Sequence, residues 1–228
     1  TPFYKWQRSH DGHHQTVGNL DNRGIGDVKT LTVLEYKNLS PGKKLFYRLY
    51  RHPFIMFFVG GFYIFFIQNR FTNPSKPLKE RLNVHFTTLV VVGIFTGLGF
   101  WIGFKELFLV HFPIIMISSV LGVSLFYIQH QFEDVIWRRK EDWDYKTMAL
   151  EGSSFFKLPK ILQWFTGNIG FHHIHHLSPR IPNYKLQECV DKNPMFQIQP
   201  ITLRNSFKSL RVRLWEKKKK KAVGFRDI

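Results

Sequence analysis

Two apolar runs, FTTLVVVGIFTGLGFWIGF from Phe86 to Phe104 and LFLVHFPIIMISSVLGVSLFYI from Leu107 to Ile128, decide the fold of this 228-residue chain. A helix rises about 1.5 Å per residue, so roughly 20 residues cross a hydrocarbon core of about 30 Å. Both runs therefore predict membrane-spanning helices. The charged pair Lys105-Glu106 between them predicts a tight turn.

The composition is that of a membrane protein with basic flanks. The chain has 24 Phe and a formal net charge of +17. Lipid requires long apolar spans, and anionic headgroups attract basic flanks. The Phe residues lie in continuous runs and do not alternate with Lys and Arg as a base-stacking surface requires, so nucleic acid is not a predicted partner. The basic C-terminal tail comprises residues 204–228, and its run Lys217–Lys221 is interpreted as a solvated charge run.

Two H-x-x-H-H clusters lie outside the apolar runs, at His10/His13/His14 and at His172/His175/His176. Residues spaced i, i+3 and i+4 share one face of an α-helix, with Cβ atoms about 5–6 Å apart, so their imidazoles can converge on a metal ion. A solvated or packed helix face has no need of this pattern. Imidazole suits iron, zinc, copper and nickel alike, so the spacing predicts a metal site without choosing the metal.

The number of histidines indicates two metal ions. A catalytic zinc site typically uses three protein ligands and a structural one four. Six spaced histidines, with His130 at the end of the second long run, exceed one such site. The chain also lacks the H-E-x-x-H motif of zinc proteases. Glu133 and Asp134 follow His130 closely and are either acceptors that orient imidazole N–H groups or flanking charges without that role.

A single metal centre requires both clusters on the same side of the membrane, and hence an even number of crossings between them. A third apolar run, Pro53–Ile67, is short and broken by Gly60-Gly61, which favours an interfacial or re-entrant segment. The 68–85 loop has four Lys and Arg residues against Glu80 alone, which places it on the cytoplasmic side. The two long runs then form one out-and-back hairpin, and both clusters face the cytoplasm.

Three segments resemble the membrane fatty acid desaturases, and among them the bacterial acyl-lipid desaturases of the Bacillus delta-5 type. They are His10-Asp11-Gly12-His13-His14, Gln129–Glu133, and GNIGFHHIHHL from Gly167 to Leu177. The likeness covers most of the chain, since it also includes Asn19–Tyr36, Tyr47–Ile55, Glu151–Gly152 and Ser178–Lys185. Agreement in both order and spacing is highly specific to this superfamily.

The resemblance implies an all-α fold, a helical bundle in the membrane with a cytoplasmic helical cap that carries the histidine clusters. It implies an oxidoreductase with two iron ions that uses O2 and two electrons to introduce a double bond into an acyl lipid or an acyl-CoA. Ferredoxin or a cytochrome b5-like protein would supply the electrons. The implied iron ligands, with no further catalytic residue, are His10, His13, His14, His130, His172, His175 and His176. Asn168 would hold a metal-bound water, and His173 would support the ligands.

One feature of the family is missing from this chain. The desaturases have an earlier H-x-x-x-H box on a preceding helix. We therefore expect that box, with the preceding membrane helices, to lie upstream of Thr1. Residues 1–228 would then be the C-terminal part of a desaturase domain, inactive alone.

Two other functions remain open at the level of sequence. A membrane hydroxylase or ketolase acting on alkanes, carotenoids or sphingoid lipids has similar histidine clusters, although the context of His172–His176 favours acyl desaturation. A non-catalytic metal-binding membrane protein, such as a transporter, is the second alternative. A transporter is expected to place ionisable residues within its spans, where this chain has only His111.

Overall fold

The computed structural model describes residues 1–228 and is mostly helical, which confirms the predicted all-α fold. The chain forms two compact units, the first from residues 1–11 and 46–124 and the second from residues 12–45 and 125–228. The α-helices are α1 (Phe3–Thr16), α2 (Val33–Lys37), α3 (Pro41–Tyr50), α4 (Gly60–Phe62), α5 (Leu78–Ile102), α6 (Phe104–His130), α7 (Tyr145–Glu151), α8 (Lys160–Phe165), α9 (His172–Leu177), α10 (Leu186–Lys192) and α11 (Leu203–Ser206). Five short strands accompany them, β1 (Leu31–Thr32), β2 (Phe156–Lys157), β3 (Ile201–Thr202), β4 (Leu214–Glu216) and β5 (Lys221–Val223).

The two long helices α5 and α6 are apolar on all sides. Their most apolar windows have mean hydropathies of 1.7 and 2.1, and only 6% and 11% of these windows is buried within the protein. A helix that is apolar all round and is not covered by protein requires lipid around it. Both helices are long and apolar enough to cross a membrane. Helix α6 extends beyond its predicted run at both ends, whereas α5 begins eight residues before its run and ends two residues before the end of that run.

The turn between α5 and α6 lies at Gly103, so its prediction at Lys105-Glu106 is wrong. Gly103 has φ of +96°, a conformation that side chains disfavour, and its N–H bonds to the carbonyl of Gly99 at 3.0 Å. Lys105 and Glu106 instead belong to the first turn of α6. The freedom of the glycine backbone decides the position of this turn.

The third apolar run is helical but irregular. Two π-helical turns, Ile55–Val59 and Tyr63–Ile67, flank α4, and a 3₁₀ turn ends the segment at Arg70. The segment Ile55–Arg70 bends by 68° from α3, a geometry that suits either a broken span or a re-entrant loop. Its predicted interfacial or re-entrant position therefore stays a prediction.

The second unit has a small mixed sheet with strand order β1-β4-β5, in which β1 and β4 are parallel and β4 and β5 antiparallel. Its core contains Leu20, Val135, Trp137, Val212, Trp215 and Ala222. The C-terminal tail contributes Trp215 and Ala222 to this core, whereas its lysine run has the solvated position that the sequence predicted. Lys217–Lys220 form the exposed turn of the β4–β5 hairpin.

A second sheet is formed by one strand before the second histidine cluster in the chain and one strand after it. Its strands β2 and β3 are parallel, with Phe156 opposite Ile201 and Lys157 opposite Thr202. The Phe156 N–H donates to the carbonyl of Gly170 at 2.8 Å, which closes a loop over residues 157–169 that contains α8. Helix α9 begins directly after this closure.

Candidate metal centre

The second histidine cluster is held in place by a constrained turn. Gly167 and Asn168 have φ of +62° and +56°, and the loop they end leads into Phe171, whose ring stacks on Phe155 at 4.6 Å between centroids. A Cβ on Gly170 would collide with the carbonyl oxygen of Phe156, so only glycine fits at this position. The backbone that leads into α9 is therefore fixed over the residues directly before His172.

The other histidines come from two helix ends. His13 and His14 lie in the last turn of α1 and are buried, and His10 lies one turn earlier on the same helix. His130 is the last residue of α6 and is also buried. The predicted helical arrangement of both H-x-x-H-H clusters is therefore found in α1 and α9.

Four histidines, one from α1, one from α6 and two from α9, form a buried group that we call the histidine tetrad: His13, His130, His172 and His176. The Nε2 atom of His130 lies 3.0 Å from that of His13 and 2.8 Å from that of His172. The Nε2 atoms of His172 and His176 are 3.1 Å apart. All four donor atoms lie within 4.8 Å of one another.

These spacings fit a metal ion better than a network of hydrogen bonds. Donors at about 2.1 Å from an ion are separated by about 3.0 Å across an octahedral edge and about 3.4 Å across a tetrahedral one. An imidazole nitrogen has either one hydrogen or one lone pair, so His130 and His172 cannot make two linear hydrogen bonds each through Nε2. A cation satisfies all four lone pairs at once. The tetrad could therefore hold a metal ion.

The protonation of the tetrad suits the same role. Burial, followed by repulsion from neighbouring histidines, holds the pKa of His172 and of His176 well below the ordinary value of 6.5. These rings are therefore neutral near pH 7. Only the neutral ring has the lone pair that binds a metal.

Neighbouring residues outside the tetrad contact three of its histidines. The Nδ1 atom of His130 lies 3.3 Å from the carbonyl oxygen of Gly152, so Nδ1–H donates there and the lone pair remains on Nε2. The ring of Phe126 packs at 5.0 Å from His13 and 4.9 Å from His130. The hydroxyl of Tyr145 donates to the carbonyl of His176 at 2.6 Å. These contacts restrain the rings of His13 and His130 and the backbone of His176.

A second pair of donors lies beside the tetrad. The Nε2 atoms of His14 and His175 are 3.2 Å apart. His14 also stacks on His176 of the tetrad, with centroids 4.1 Å apart and an angle of 13° between the rings. The pair and the tetrad therefore lie next to each other, with the ring of His14 stacked on that of His176. His10 lies on the same face of α1 as His14, one turn earlier, and its ring stacks on Trp6 at 4.8 Å.

The residues predicted to support the ligands have other contacts. The Asn168 side chain donates to the carbonyl of Asn183 at 3.1 Å. His173 is fully buried and its Nε2 donates to the carbonyl of Phe196 at 3.0 Å, so it lies outside the tetrad. The Glu133 carboxylate pairs with Lys221 at 3.2 Å, and Asp134 is exposed beside it.

Sequence reasoning missed Phe126 and Tyr145, and it noted Gly152 only as part of the family likeness. Phe126 precedes His130 by four residues on α6, so helical spacing alone would have placed it against that ring. Tyr145 and Gly152 lie in or beside α7, which is distant from the histidines in sequence. No local sequence pattern predicts the contacts of Tyr145 and Gly152 with the histidines.

The comparisons with known proteins agree with this geometry. Residues 1–196 match the fatty acid desaturase family, so the chain belongs to this family of membrane helical bundles. It is 50% identical over all 228 residues to a protein of Bacillus subtilis (strain 168) named fatty acid desaturase. It is 24% identical over 83% of its length to an sn-1 acyl-lipid omega-3 desaturase (ferredoxin) of Nostoc sp., and 29% identical over 84% to a Delta(12) fatty acid dehydrogenase of Crepis alpina. The chain spans 65% of the Bacillus relative and 53% and 54% of the other two.

Proposed function

We propose that this protein is an iron-dependent acyl-lipid desaturase. The observation that carries the proposal is the convergence of four buried imidazole nitrogens in a chain of the desaturase family. Family membership narrows the chemistry, and the donor set fits a metal that does redox work. The hydroxylase and ketolase alternatives have no separate observation in their favour.

Two iron ions would be held by the histidines predicted from the sequence. The tetrad would bind one ion, and the pair His14 and His175 would bind the other, with His10 as its third donor. The stacked rings of His14 and His176 support a count of two, because they make the two groups immediate neighbours. A single ion would leave the second pair of converging nitrogens without a role.

Bound iron would supply the oxidising power that removing hydrogen from an unactivated C–H bond requires, which no side chain provides. The overall reaction is balanced by one O2, two electrons and two protons, which give one double bond and two waters. Burial keeps the imidazoles of His172 and His176 neutral, and the carbonyl of Gly152 orients the ring of His130. Phe126 places an apolar ring over the tetrad and excludes water from that side.

The substrate and the electron donor follow from the named relatives. Relatives in Nostoc sp. and Arabidopsis thaliana are named acyl-lipid omega-3 desaturases with ferredoxin. We therefore propose a membrane acyl lipid as substrate and ferredoxin as donor, with a cytochrome b5-like protein and an acyl-CoA as the alternatives. The basic residues of segment 68–85, which extends into the first turns of α5, support an active site that faces the cytoplasm.

The direct test is the fatty acid composition of a bacterial host that produces the longest form of this protein its gene encodes. We expect gas chromatography with mass spectrometry to detect a new unsaturated acyl chain in the phospholipids. The matched control is His172→Ala, produced to the same level on an immunoblot, which should give none. Hydroxylated chains from the unsubstituted protein would instead identify a hydroxylase.

A further inference from the structure

Two short helices in the second unit expose apolar side chains and bury polar ones. On α8, Ile161, Trp164 and Phe165 are 67%, 72% and 72% exposed, whereas Gln163 is buried. A helix packed on a soluble protein has the opposite arrangement, with its apolar side toward the core.

The same inversion occurs at α11 and the 3₁₀ turn that follows it. Leu203 and Phe207 are 47% and 64% exposed, while Ser206 and Ser209 are buried. Buried polar residues and clustered exposed apolar ones are the informative departures from ordinary surfaces, because single exposed apolar residues are common. Two neighbouring segments with the same inversion point to an apolar environment outside the protein.

The parallel sheet brings these two segments to one place. Strand β2 leads into α8 and strand β3 leads into α11, and the two strands are paired in parallel register at Lys157 and Thr202. The carboxyl ends of paired parallel strands meet at the same edge of a sheet. Both helices therefore leave from this edge, and their exposed side chains form what we call the edge patch: Ile161, Trp164, Phe165, Leu203 and Phe207.

The charged residues on the two segments that carry the edge patch are all positive. Acidic residues from other segments, Glu133, Asp134 and Glu151, line a cavity that also borders Lys208. Lys157, Lys160, Arg204 and Lys208 are exposed beside the edge patch. No Asp or Glu occurs in residues 152–187 or in residues 192–215, which together contain both helices. Exposed Trp and Phe with a rim of Lys and Arg are typical of segments that lie in the interface of an anionic membrane.

We propose that the edge patch binds the lipid bilayer, with its apolar side chains among the acyl chains and its basic rim on anionic headgroups. The occupant is lipid because the chain belongs to a family of membrane proteins and the rim matches anionic headgroups in charge. The proposal concerns the folded second unit and does not depend on the desaturation chemistry.

The test places single cysteines in the protein reconstituted into bilayers of phosphatidylcholine and phosphatidylglycerol. Cys189 is the only cysteine, so Cys189→Ala gives a background for Ile161→Cys and Phe207→Cys. Leu34→Cys is the matched control, because Leu34 is a 70% exposed leucine on α2, away from the edge patch. Each cysteine receives an environment-sensitive fluorophore.

We expect the probes at Ile161 and Phe207 to emit at shorter wavelength and to be quenched severalfold more by spin-labelled lipid than by aqueous iodide. The probe at Leu34 should show the reverse preference. Iodide quenching at the edge patch, or equal lipid quenching at all three positions, would overturn the proposal. Lipid quenching that stays the same after phosphatidylglycerol is removed would overturn the role of the basic rim.

A second measurement needs no label and guards against a cysteine variant that fails to fold. Brominated lipid should quench part of the tryptophan fluorescence of the unsubstituted protein, that of Trp101 on α5 included, and Trp164→Phe should lower the quenched fraction. If the quenched fraction is the same in both proteins, Trp164 is not in contact with lipid and the edge patch does not bind the bilayer.

Discussion

His172 and His173 are adjacent and both buried, yet their ring nitrogens point to different partners. His172 directs Nε2 to the Nε2 of His130 and of His176, whereas His173 directs Nε2 to a backbone carbonyl. A single peptide bond thus separates a candidate ligand from a residue that holds the fold. The pair allows a comparison in which burial and residue type are constant.

We expect His172→Ala to lower bound iron and activity by at least about tenfold, because changes to groups that merely support metal ligands already cost about 10–100-fold. His173→Gln should keep its iron, since the glutamine amide matches the position of Nε2 and can still donate to the carbonyl of Phe196. The measurement is iron per protein by mass spectrometry. Equal iron in the two variants would contradict the assignment of His172 as a ligand.

The spacing of the histidines allowed the helices of both clusters to be predicted, but not the meeting of the clusters. The i, i+3, i+4 pattern is local, and it places His13 and His14, or His175 and His176, near one face of one helix. The contact between His13 and His130 spans 117 residues and results from tertiary packing. His173 illustrates the same limit, because no local rule tells which of five consecutive positions faces a backbone carbonyl.

At the scale of elements, the turn between the two long helices depends on a glycine. The charges of Lys105 and Glu106 predicted the turn there, but the chain turns at Gly103 because only glycine readily adopts a positive φ. The short strands were also beyond prediction, because strands of two or three residues show no alternation of polar and apolar residues that a sequence pattern could reveal.

Gly103→Ala should destabilise the protein by about 1–3 kcal/mol, because its φ of +96° is strained for any residue with a Cβ. Gly97→Ala is the matched control, since Gly97 lies inside α5, a methyl group there would meet no atom within 4 Å, and alanine favours a helix. Thermal unfolding in detergent measures both. If Gly103→Ala is as stable as Gly97→Ala, the turn does not require glycine.

The start of α2 contains an ion pair with a defined pH dependence. Glu35 accepts two hydrogen bonds from Arg23, at 2.7 and 2.6 Å. Its carboxylate also accepts one from the backbone N–H of Thr32, the N-cap residue of α2. The Arg23 hydrogen bonds lower the pKa of Glu35 from 4.5 to about 2. A carboxylate with a lowered pKa in the folded state contributes stability above its unfolded pKa, and that contribution is lost as pH falls toward the folded value.

Glu35→Gln should therefore lower the free energy of unfolding near pH 7, by about 1 kcal/mol since the group is partly exposed. The difference between the two proteins should shrink as the pH falls from 4.5 to about 2, because the unsubstituted protein then loses its own charge. Thermal unfolding across this range measures the difference. A constant difference would show that Glu35 is not the group that titrates.

At the scale of the whole molecule, the number of membrane crossings determines which faces the clusters occupy. If both histidine clusters bind one metal centre, the chain must cross the membrane an even number of times between them. Single cysteines at Ser40 and Ser75, which are exposed and flank Pro53–Ile67, should therefore react alike with a membrane-impermeant reagent in the Cys189→Ala background and report the same face. Opposite faces would mean that Pro53–Ile67 crosses the membrane.

The tetrad joins positions that are far apart along the chain. His13 and His130 are 117 residues apart and His130 and His172 are 42 apart, so an ion bound by all of them would act as a cross-link that closes two long loops. The entropy of closing such loops grows slowly with their length, and a ligand that binds only the folded state stabilises it by mass action. A strong chelator should therefore act on this protein as a denaturant, loosening α1 from the ends of α6 and α9 well before the lipid-facing helices are disturbed.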